Sequence, residues 1–131
     1  METKSFTYMT LYLIETKETD KVLANSFKSA LSYAKVITSA RNDTERTIRS
    51  IRSICEKVKV YQANYKHTLT TSNMPFIRLA VWYVDFGDDR NCFVAAETLA
   101  DAYDYIGGEH KNVKTITCSH LALLENKDEI V

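Results

Sequence analysis

Residues that bend or cross-link a backbone are scarce in this chain. Three glycines and one proline among 131 residues exclude a collagen-like or low-complexity chain. The cysteines, Cys55, Cys92 and Cys118, are three in number and show no CxxC spacing. An odd, scattered set of this kind argues against a disulfide framework and for reduced thiols in a cytoplasmic setting. No stretch approaches the roughly 20 apolar residues that cross a bilayer. The opening METKSFTYMTLYLIE lacks the basic segment followed by an apolar one that marks a secretory leader. Neither GxGxxG nor GxxxxGK[ST] occurs, and the pair Gly107-Gly108 follows a helical pattern instead of opening one. These absences predict a cytoplasmic protein with no membrane segment and no nucleotide cofactor of the common kinds.

Net charge is also missing, since 17 basic residues balance 17 acidic ones. The balance hides an asymmetry. Up to Thr70 there are twelve Lys/Arg against seven Asp/Glu, a surplus of +5, and from Thr71 onward five against ten, a surplus of −5. A basic surface for an anionic partner, head-to-tail self-association and attraction between the two halves each fit that pattern.

What the chain does have is an ordinary globular composition, 45% hydrophobic and 26% charged, and an internal repeat. At an offset of 72, residues 25–34 (NSFKSALSYA) lie over residues 97–106 (ETLADAYDYI). Phe27, Ala30, Leu31 and Ala34 coincide with Leu99, Ala102, Tyr103 and Ile106, in the i, i+3, i+4, i+7 order of one helix face. Ser26 and Thr98 stand where N-caps belong, and Gly107-Gly108 supplies a left-handed stop for the second helix. The same offset places Thr7–Ile14 over Leu79–Phe86, and Val22–Ala24 over Val94–Ala96. Each pair reads as a strand hairpin leading into its helix.

Residues 113–124 read as a strand. The corresponding segment 44–61 fits either a strand or a helix, and the repeat favours the strand. The predicted fold is α+β, with two tandem ββαβ repeats in one pseudo-twofold domain. The first spans 1–66 and the second 76–131, with 67–75 as a polar linker. Both long strands are apolar on both faces: Tyr8, Tyr12 and Ile14 alternate with Met9, Leu11 and Leu13, and Trp82, Val84 and Phe86 with Val81 and Tyr83. Something must cover the second face.

Catalytic signatures are thin. Cys118 and His120, two apart on a strand, share a face and make half a chelate, to which folding would have to bring His110 or an acid as a third ligand; two ligands are not a site, and no metal is expected. Cys118 lacks the cationic or helix-terminal surroundings that activate a thiol. Asp85, Asp88 and Asp89 sit at a hairpin tip, where Asp and Gly serve local backbone geometry, and Asp101 and Asp104 lie on the second helix.

The expectation is a non-enzymatic protein-interaction module that acts by occupying a surface, with a protein or a second copy as partner. Small accessory or inhibitor proteins of phages and mobile elements have this size and style. Its interface candidates are Tyr8, Tyr12, Trp82 and Phe86. The alternative is a nucleic-acid-binding protein that uses the basic first repeat, with Arg41, Arg46, Arg49, Arg52, Lys57 and Lys59 as anion contacts and Tyr61 and Tyr65 as stacking rings.

Overall fold

A computed structural model describes residues 6–61, 68–71, 74–106 and 112–125. The chain is α+β and mostly strand: β1 (Phe6–Glu15), β2 (Thr19–Ala24), α1 (Phe27–Ala40), a 3-10 turn (Glu45–Thr47), β3 (Ser50–Tyr61), β4 (Thr68–Thr71), β5 (Met74–Gly87), β6 (Arg90–Ala96), α2 (Leu99–Ile106) and β7 (Thr115–Glu125). The ambiguous segment resolves into the 3-10 turn and strand β3. Part of the span expected as linker, Thr68–Thr71, is a strand that pairs antiparallel with Met74–Ile77 of β5.

Six strands close on themselves. β1 pairs antiparallel with β2 and β3, and β5 pairs antiparallel with β6 and β7. Two parallel seams, β2 with β7 and β3 with β6, complete the ring; β4 lies outside it, beside the start of β5. Closure explains the two-sided apolar strands. The inner face carries a core drawn from all six, with Leu11, Leu23, Val58, Val81, Ala95 and Ala122 among its members. A barrel this small is filled by side chains, and ring closure removes most of the free strand edge to which a partner could add.

The outer face is covered twice by a helix. Ala30, Ala34 and Ile37 of α1 pack on Tyr12, Ile14, Val22 and Phe76. On the other side Val84, Phe86 and Val94 lie beneath α2, with Tyr105 and Ile106 packed against them. The buried helix positions are mainly alanines, which lets each helix approach its strands closely. Phe27 and Leu99, predicted on the buried faces, are instead 54% and 50% exposed at the first turns. Both N-caps form as expected: the Ser26 side chain accepts from the Ser29 N–H, and the Thr98 side chain from the Asp101 N–H, each at 3.1 Å. Gly107-Gly108, Tyr65 and His110 lie outside the described residues.

Among the described residues, non-glycine left-handed backbone occurs at three kinds of place. Asn42 (φ 59°) follows α1, and Asp88 and Asp89 (φ 52° and 62°) make the two-residue turn between β5 and β6. Lys57 (φ 58°) lies where the β1–β3 register slips between Met9 and Leu11, a β-bulge in the middle of a strand.

Candidate functional site

The four aromatic interface candidates do not form one exposed patch. Tyr8 is 55% exposed, whereas Tyr12 and Phe86 are each only 9% exposed, beneath α1 and α2 respectively. Trp82 is half-buried, and its indole N–H donates to the carbonyl of Ala96 at 3.1 Å, fixing β5 against the end of β6. Alternation decides this outcome: outward positions on a helix-covered strand are core positions.

The basic candidates divide by whether a carboxylate already holds them. Arg41 forms a bidentate pair with Asp20 at 2.7 and 2.9 Å, with Glu18 at 3.3 Å, and these contacts push its pKa further up. Arg52 pairs with Glu15 at 3.4 Å. Arg46 and Arg49 are exposed, one in the 3-10 turn and the other just before β3. Lys57 lies in the β3 bulge and Lys59 beyond it, and neither forms an ion pair with a described residue. The ion pairs seen between described residues, including Lys17–Asp43 and Lys35–Glu45, join residues of the basic half. The opposite charges of the two halves are therefore not consumed by these contacts.

One surface groove of about 780 Å3 brings candidates from both sets together: Tyr8, Lys57, Lys59 and Phe86 line it. It lies along the parallel seam where β3 meets β6, whose register sets Lys59 opposite Val94. The bulge puts Lys57 in its wall. Arg90, which the sequence reading missed, enters from the start of β6, its guanidinium 6.0 Å from the centre of the Phe86 ring. Lys59 sits 5.3 Å from the centre of the Phe6 ring. Phe6, 41% exposed, touches Tyr8 edge-on and Tyr61 at a tilt, both at 5.3 Å between centroids. Tyr61 in turn stacks on Tyr105 of α2 at 4.7 Å. A continuous line of rings thus runs from the groove to the second helix, flanked by cations. Glu56 and Asp89 also line the groove, so its three cations face two carboxylates.

The acidic tip has structural work. Asp85 accepts from the Gly87 N–H at 2.8 Å, and a Cβ on Gly87 (φ +80°) would lie 2.8 Å from the Lys114 side chain. Asp88 and Asp89 supply the turn's left-handed residues.

Cys118 and His120 do not make the shared-face pair read from the sequence. A register shift sets Cys118 opposite Trp82 and His120 opposite Val81, successive residues whose side chains leave opposite faces of β5. His120 instead meets Lys21, Nδ1 to Nζ 3.1 Å, and burial followed by the Lys21 charge pushes its pKa down. Among the described residues no group of three or more His, Cys, Asp and Glu side chains could hold a metal ion, and no helix is long and apolar enough to cross a membrane.

No protein-family model matches the chain, and neither a curated protein nor a solved structure shows significant similarity to it.

Proposed function

We propose that the chain is a non-enzymatic binding protein that works by occupying a surface, and that its working surface is the groove along the β3–β6 seam. The observation that carries this reading is the convergence, in one groove, of exposed Tyr8 with Lys57, Lys59 and Arg90, cations to which no described carboxylate is paired. Exposed rings bordered by unpaired cations are surface that folding alone does not require. The acids at the neighbouring hairpin hold the turn, which leaves binding as the role of the surface.

In this reading the two halves are pseudo-twofold copies of one ββαβ unit that have diverged in charge. Support comes from the pairings: the first strand of each unit lies between its second and third, and each second strand runs parallel to the third strand of the other unit. The groove falls on one of the two parallel seams, and a pseudo-twofold would carry it onto the β2–β7 seam. On that seam Lys21 meets His120 on the side of inner-core Val81, so in this reading the basic-aromatic groove belongs to one seam alone.

The test is size-exclusion chromatography with light scattering and paired 260 and 280 nm absorbance, on tagged protein purified from cells at low salt. Wild type is expected to carry a partner or to self-associate, and Tyr8→Ala with Lys59→Gln to abolish this while the circular-dichroism spectrum is unchanged. Retention of the same complex by that double variant would rule out the groove.

A further inference from the structure

Resting on that reading of the groove, we propose that its occupant is single-stranded nucleic acid, with Lys57, Lys59 and Arg90 meeting phosphates and Tyr8, in contact with exposed Phe6, offering its ring to a base. Charge complementarity is the first argument. Lys17, Lys35, Arg41 and Arg52 are each held by an acid, whereas Lys57, Lys59 and Arg90 form no ion pair with a described residue and, unlike the scattered exposed Arg46 and Arg49, converge on one groove. The second is the placement of rings among those cations. Lys59 lies against Phe6 and Arg90 against Phe86, and Phe6 and Tyr8 are 41% and 55% exposed. Proteins that hold single strands combine a cationic track with aromatic faces on which unpaired bases stack. A duplex keeps its bases stacked inside and has none to offer.

The local balance sharpens the claim. Three cations against Glu56 and Asp89 leave the groove with a net charge of only about +1, too little to hold a polyanion by charge alone, so the rings must contribute. The site therefore prefers an oligonucleotide to a base-free polyanion. Lys57 adds a third argument, since it holds a left-handed backbone (φ 58°) that L-residues adopt at a conformational disadvantage. The bulge that imposes it also sets the ammonium in the groove wall.

The experiment is fluorescence anisotropy with a labelled oligothymidine at increasing salt, on wild type and three variants: Lys57→Gly with Lys59→Gln, Tyr8→Ala, and Arg46→Gln with Arg49→Gln. Glycine at 57 suits the left-handed backbone, so the first variant loses charge without losing the bulge. Binding is expected, with log affinity falling against log salt at a slope of roughly 2, about 0.7 for each of three neutralised phosphates. Tyr8→Ala is expected to weaken it about fivefold or more. The Lys57/Lys59 variant should weaken it and flatten the slope, and the Arg46/Arg49 variant should match wild type. Unlabelled single strand should compete, and duplex or heparin at equal charge should not.

Equal competition by heparin would overturn the proposal, as would loss of binding in the Arg46/Arg49 variant with none in the groove variants. Absence of oligonucleotide binding, with a co-purifying protein still lost from the groove variants, would reject nucleic acid while leaving the groove as the working surface. If groove variants changed neither, both readings would fall.

Discussion

Lys57, in left-handed backbone, and His120, beside Lys21, each carry a prediction at the scale of single residues. A non-glycine residue in left-handed backbone gives up roughly 1 kcal/mol, so Lys57→Gly is expected to leave the midpoint of urea unfolding unchanged or to raise stability by up to about 1 kcal/mol, while ligand binding falls. Lower stability in that variant would mean that the Lys57 side chain holds the bulge. His120 sets a pH dependence whose sign follows from linkage. Its folded-state pKa lies below the ordinary 6.5 because burial and Lys21 both oppose a second charge. The unfolded chain therefore takes up the proton first, and stability falls as pH drops from about 6.5 toward the folded-state value. Thermal melts between pH 7 and 5 should show this loss in wild type and a smaller one in His120→Gln. An equal loss in the two proteins would place the sensitivity elsewhere. Asp20, only 11% exposed beside Arg41, anchors β2 to the end of α1. Truncating one partner of such a pair leaves the other without its charge-assisted bonds, and Asp20→Ala is expected to lose on the order of 2 kcal/mol in chemical denaturation.

At the scale of elements, the sequence was most legible where a local rule decides the answer. Hairpins, helices and the Ser26 and Thr98 caps follow from alternation, helical period and short polar side chains that bond the first turn's N–H groups. The β5–β6 turn obeys such a rule: two residues with positive φ between paired Gly87 and Arg90 form the primed type of turn whose twist matches the strands. Glycine tolerates those angles better than aspartate, so Asp89→Gly is expected to raise the melting temperature, by roughly 1 kcal/mol in stability. A lower melting temperature would show that the Asp89 side chain does more than turn the chain. Long-range pairing was illegible. The β4 hairpin was hidden in a polar segment that resembles a linker, because a short strand outside the ring needs no apolar alternation. The Cys118–His120 pair failed for a similar reason, since one register shift on β7 reverses the face of everything beyond it. The groove was half-legible: Tyr8, Phe86, Lys57 and Lys59 were singled out, but in two separate sets. Only the parallel β3–β6 seam, formed between residues more than 30 apart, brings them to one place, and it also delivers Arg90.

On the scale of the whole molecule, closure of the ring across two parallel seams means that neither half can complete its inner face alone. Residues 1–66 expressed as a fragment should be unfolded, or folded only on self-association, by circular dichroism and light scattering. A cooperative, monomeric fold of that fragment would contradict ring closure. Closure also bears on function, because a ring with few free edges offers partners its faces and grooves in place of a strand to pair with. The groove is the part of the outer face where exposed Tyr8 meets three cations that no described carboxylate pairs. The most direct measurement of its role is a two-dimensional amide NMR titration of the whole protein with a short single-stranded oligonucleotide. Shifts concentrated at Tyr8, Lys57, Lys59 and Arg90, saturating together, are the predicted result. Shifts centred on Arg46 and Arg49, or spread evenly over the basic half with no saturation, would contradict it.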